Sequence, residues 1–112
     1  MTVLVVAASA IAVAPASPAA AAPCNYSWSN KSGEAGWIDG DGVNYRGGPY
    51  TSCDSFGQFD NYDYVYAHCW RRGTTVGYTD VWWHVRLSGT TRQGWVSEYY
   101  TLYLTSNAAR AC

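Results

Sequence analysis

Charge is scarce in this chain. Only 13% of its 112 residues are charged, with Lys+Arg 7 against Asp+Glu 8 and a formal net charge of −1. That balance excludes a basic stripe for nucleic acid and a polybasic patch for anionic lipid. Long hydrophobic runs are also missing. Val3 to Ala14 is broken at Ser9 and is shorter than the roughly 20 apolar residues of a membrane span, so no stable membrane anchor is expected. Close cysteine pairs are absent. Cys24, Cys53, Cys69 and Cys112 stand far apart, so none has the spacing of about two to four residues that structural zinc prefers. The two imidazoles are His68 and His84, and no motif sets either beside a nucleophile and an orienting acid. With no cofactor motif either, the expectation is a protein that is not an enzyme and carries neither metal nor cofactor.

What the chain does have is aromatic rings, at 16%, with six Trp and ten Tyr. A small β-domain can fill its core with few such residues and leave others on the surface. Residues 1–22 do not belong to the expected fold. The apolar run, Pro15, Pro18 and the Ala19 to Ala22 stretch have the pattern of a secretory signal with a small-residue cleavage site near Ala22–Pro23. No Lys or Arg precedes Lys31, so the true start is expected upstream of Met1. Four cysteines in one exported domain of this length read as two disulfides, leaving no free thiol. The protein is expected to be secreted, extracellular or associated with the cell wall.

Residues 23–42 form an N-terminal arm or hairpin around the Ser32-Gly33-Glu34-Ala35-Gly36 turn cluster. Asp39-Gly40-Asp41-Gly42 is a turn; it lacks the closing acid of a calcium loop, since Tyr50 stands twelfth from Asp39. Residues 43–112 are the domain proper, with a C-terminal tail. Short runs rich in β-formers occur at Val43 to Arg46, Phe56 to Phe59, Tyr62 to Trp70, Val81 to Leu87, Gly94 to Val96 and Tyr99 to Leu104. Arg71 to Asp80 is expected as a loop and Ser88 to Gln93 as a hairpin loop. Five or six short strands at such spacing argue for a small all-β barrel or sandwich. Strand alternation sets the faces. Val65, Ala67 and Cys69 point inward, with Tyr62, Tyr64, Tyr66 and His68 outward. Trp83, Val85 and Leu87 point inward, with Trp82, His84 and Arg86 outward. Both histidines are therefore expected on the outer face, solvent-facing or packed at an edge.

Three motifs in order carry a family resemblance. Val43-Asn44-Tyr45-Arg46-Gly47-Gly48-Pro49 followed by Thr51-Ser52 resembles the opening L-N-V-R-x-G-P-x-T-S of bacterial Src-homology-3 domains, and Phe56-Gly57 matches the apolar-Gly pair after it. Trp82 to Leu87 resembles their W-Y-K-V-R-L strand. Gly94-Trp95-Val96 with Ser97 to Tyr100 resembles their closing G-W-V with a following Tyr. The match covers about Val43 to Leu102. It implies a small Src-homology-3-like barrel that binds cell-wall peptides or another extracellular ligand and catalyses nothing. Proline-helix recognition is not implied, because Ser97 stands where the eukaryotic domains place their groove proline. A structural or inhibitory protein–protein interaction domain is the second reading. Partners are a cell-wall peptide or glycan, or an extracellular protein, and the protein is expected to be monomeric.

Three expectations follow from the barrel. Cys53 pairs with Cys69 and Cys24 with Cys112, the nearest rival being Cys24–Cys53 with Cys69–Cys112. The core holds Val43, Tyr45, Phe56, Phe59, Val65, Ala67, Trp83, Val85, Leu87 and Val96. The ligand lies in a groove lined by Trp82, Tyr50 and Tyr100, unless Trp82 packs under the arm against Trp28 or Trp37. The tyrosine row of Tyr62, Tyr64 and Tyr66 is the reserve surface.

Overall fold

The structure is a computed structural model and describes residues 24–112; the signal segment expected over residues 1–22 lies outside them. The described chain is all-β, a curled antiparallel half-barrel of seven strands. The strands are β1 (Ala35–Ile38), β2 (Val43–Arg46), β3 (Ser55–Phe59), β4 (Tyr64–Val76), β5 (Thr79–Leu87), β6 (Gln93–Ser97) and β7 (Thr101–Leu102). They neighbour one another in the order β3-β2-β6-β5-β4-β1-β7. A 3₁₀ turn, Glu98–Tyr100, joins β6 to β7, with the Ser97 hydroxyl accepting from the Tyr99 N–H.

Alternation works where the ladder is regular. Val65 and Ala67 are buried while Tyr64 and Tyr66 are more than a third exposed. The inner cluster joins Ile38, Val43, Tyr45, Phe59, Val65, Ala67, Trp83, Val85 and Val96, with Leu87 half-buried against it. Phe56 departs from the expected core and is 57% exposed. It stands three residues before Phe59 on the same strand, and an odd separation puts the two rings on opposite faces. Phe59 takes the inner side and stacks on Tyr45 at 4.3 Å. Gly57, paired with Tyr45 across the strands, leaves that ring its space, since a Cβ there would lie 2.5 Å from the Tyr45 hydroxyl.

Two other expectations are corrected. Residues 71–80 are no loop: β4 runs on to Val76 and β5 begins at Thr79, leaving Gly77 and Tyr78 as the hairpin turn. Gly77 has φ 57°, which suits a tight hairpin, and Arg72 reaches across to Asp80 at 2.8 Å. At the other end Tyr62 precedes β4, in a turn with φ 65°, so it is not part of the tyrosine row. The arm also contributes a strand of the sheet. β1 sits between β4 and β7, and Ile38 is fully buried.

The ladder between β4 and β5 slips between Ala67 and Cys69: Ala67 opposes Val85, and Cys69 opposes His84. His68 is the extra residue of a β-bulge, and a bulge shifts the phase of every side chain after it. Cys69 therefore leaves the core face. It packs with Trp82 and Trp95 in a second cluster, while Trp70 turns back toward the inner one. The disulfides follow. Cys69 pairs with Cys112 of the tail and Cys24 with Cys53, overturning the Cys53–Cys69 and Cys24–Cys112 expectation. The tail runs beside β4, where the Cys112 N–H donates to the Trp70 carbonyl at 3.0 Å. The arm starts beside the Gly47 turn, where the Tyr26 N–H donates to the Gly47 carbonyl at 2.9 Å.

Candidate functional site

The outer face of β5 and β6 is roofed by the two ends of the described chain. Tyr26 stands edge-on to Trp95 at 6.1 Å and lies under the Arg71 guanidinium. Trp28 stacks on both His68 and His84, at 4.3 and 4.1 Å. Beneath it the two imidazoles meet Nδ1 to Nδ1 at 2.8 Å, so one nitrogen carries the proton and donates it to the other. They are buried, not solvent-facing, with His84 only 3% exposed. Burial, then the neighbouring His68, drives the His84 pKa down from 6.5 to about 3. Burial, then the Arg86 charge, lowers that of His68. Both shifts favour the neutral rings that the Nδ1–Nδ1 contact and the stacking of Trp28 hold together.

Trp82 was expected to face a groove or the arm, and it does some of both. It is 2% exposed, its indole N–H donates to the Thr74 carbonyl at 2.8 Å, and Tyr26 and Cys112 pack against its cluster. Trp28 covers the histidines instead, and Trp37 lies on another part of the sheet. One border of Trp82 still lines a cleft of about 170 Å³. Tyr100 lines the same cleft, together with Asp41, Asn44, Arg46 and Ser97. The structure thus brings Trp82 and Tyr100 together. Tyr50 is half-buried in the neighbouring loop, and Thr51 lines the cleft in its place.

The cleft is built where β2, β5 and β6 adjoin. The 39–42 turn supplies Asp41, whose carboxylate accepts the Asn61 N–H at 3.1 Å. Gly40, with φ 134°, brings the turn against Val43 and Tyr100. Arg46 is steadied by donating to the Cys53 carbonyl at 2.9 Å. Neither Asp41 nor Arg46 forms an ion pair among the described residues. The cleft therefore offers an aromatic wall beside one cation and one anion. Its volume is below the roughly 300 Å³ of a pocket for a whole small molecule, so it suits one side chain or a short piece of an extended ligand. Sequence reading missed Asp41 and Arg46, because they reach Trp82 only through the β2-β6-β5 order.

Tyr64 and Tyr66 lie away from this cleft, on the outer face of β4. Trp37 of β1, directly opposite Tyr64, stands edge-to-face with it at 5.1 Å. Tyr103 joins on the far side of Trp37 at 5.7 Å. No run in the sequence signals this gathering; cross-strand pairing creates it. No protein-family model, curated protein or solved structure matches the chain.

Proposed function

We propose that the protein is a secreted, non-catalytic binding module of Src-homology-3-like architecture that recognises cell-wall peptides or another extracellular peptide. The observation that carries the reading is the shared cleft: Trp82 and Tyr100, expected as a ligand wall, line it together with Arg46 and Asp41. An extended peptide offers what those groups take, namely an apolar stem against the rings and charged or amide groups for Arg46 and Asp41. The three resemblance motifs fall on β2, β5 and β6, which adjoin in the sheet. Two disulfides are compatible with an extracellular protein.

Trp82 is too buried for its replacement to be a clean test, so the variants are Tyr100→Ala and Asp41→Asn. In co-sedimentation with purified cell wall, Tyr100→Ala should weaken binding by about tenfold with little change in melting temperature. Unchanged binding by both variants would place the ligand elsewhere.

A further inference from the structure

Four aromatic side chains form one continuous row over the outer face of β7, β1 and β4. Tyr103 meets Trp37 at 5.7 Å, Trp37 meets Tyr64 at 5.1 Å and Tyr64 meets Tyr66 at 5.6 Å, each pair edge-to-face. All four are more than a third exposed, Tyr103 as much as 78%. A contiguous aromatic surface of this kind is costly to leave in water and marks a binding surface. The three phenol hydroxyls and the Trp37 indole N–H make no hydrogen bond among the described residues. Each ring of the row thus carries its own polar group, and successive ring centroids are 5.1 to 5.7 Å apart.

At its β5 end the row becomes cationic. Arg86, opposite Tyr66 in the ladder, holds its guanidinium 5.1 Å from the Tyr66 ring centroid. It donates to the Thr90 carbonyl and forms no ion pair among the described residues. Beside it is a recess of about 190 Å³ that Tyr66, Asn30 and Ser32 help line. Glu34 borders the same recess, but its carboxylate is taken by Arg110 at 2.8 Å and by the Thr105 N–H.

We infer that this row is a second binding site, distinct from the cleft, for an extended polysaccharide bearing carboxylate groups. Sugar rings match the row on both counts, with C–H faces for the aromatic rings and hydroxyls for the unused handles. The rings run from Tyr103 to Trp37 of β1 and on to Tyr64 and Tyr66 of β4, which suits a linear ligand lying across the strands. The cationic end selects a polymer with carboxylates, because guanidinium and carboxylate pair in a planar, bidentate geometry. The inference does not depend on the peptide reading of the cleft.

The test is affinity electrophoresis of the whole protein through gels containing polygalacturonate, alginate or hyaluronate, with fully methyl-esterified polygalacturonate as the uncharged control. At least one carboxylated polymer should retard the protein, and esterification should relieve the retardation. Trp37→Ala, Tyr103→Ala and Arg86→Gln should each weaken it by about tenfold, while Tyr100→Ala leaves it intact. Tyr103 lies outside the strands and is mostly exposed, so its variant keeps the test decisive if Trp37→Ala fails to fold. The inference is overturned by no retardation in any of the three polymers, by equal retardation in the ester, by full binding in Tyr103→Ala or Arg86→Gln, or by a concentration-dependent dimer that Tyr103→Ala dissociates. Loss in Tyr100→Ala would move the glycan to the cleft and count against it as well. Cell-wall co-sedimentation reads the cleft separately, so either proposal can fail alone.

Discussion

His68 and His84 face each other Nδ1 to Nδ1 at 2.8 Å beneath the indole of Trp28. The contact joins the bulge of β4 to the middle of β5, and it requires that at least one ring be neutral. Burial, and after it the Arg86 charge, lowers the pKa of His68, while Trp95 stands edge-on to His84 at 5.4 Å.

Stability should fall as the solution is acidified below about pH 6.5. His84 titrates near 6.5 when unfolded and at about 3 in the fold, so the unfolded chain binds the proton first and is favoured between those values. The loss should reach a few kcal/mol toward pH 3. Burial raises the pKa of Glu98, which acts in the opposite sense and only in the carboxylate range. Thermal melts from pH 8 to pH 4 check this. The His84→Gln protein should show a flatter profile, and an unchanged slope would remove His84 as the cause.

Trp28→Ala should destabilise the protein by about 2 kcal/mol, below the usual cost of deleting a fully buried Trp because this ring is partly exposed. It should also raise the pKa of His84 toward 6.5 by letting water reach the pair. An NMR titration of the two imidazoles reads the shift directly. A lowered melting temperature with unmoved titrations would mean that the indole contributes packing alone.

Non-reducing peptide mapping should recover Cys24–Cys53 and Cys69–Cys112. The bridges close loops with sequence separations of 29 and 43, for which chain entropy gives on the order of 3.5 to 4 kcal/mol each. Replacing both cysteines of either pair with Ser should lower stability by a similar amount. Recovery of a Cys53–Cys69 peptide would contradict this pairing.

Much of the sheet was legible from alternation alone. Val65 and Ala67 against Tyr64 and Tyr66, and Trp83 and Val85 on the inner side of β5, follow from a period of two and the gain from burying the apolar set. The all-β class followed equally from short runs of β-formers between Gly-rich turns. Of the residues that line the cleft, Trp82 and Tyr100 are the two that alternation and the resemblance single out; Tyr50 does not line it, and Asp41 and Arg46 carry no local signal of their place there.

The rest was decided by pairing between distant segments. A single extra residue at His68 sends Cys69 to the face opposite Ala67, and no local pattern marks a bulge. The place of Cys69 beside Trp82 and Trp95, and with it the Cys69–Cys112 bridge, depends on that slip. The gathering of Trp37, Tyr64 and Tyr103 depends on β1 lying between β4 and β7. The sequence by itself determined which residues prefer a strand and which side of a regular strand is apolar, because those are properties of neighbouring residues. Only the tertiary structure decided register, bulge and strand order, because these balance the burial of several segments against one another and no one segment contains that balance.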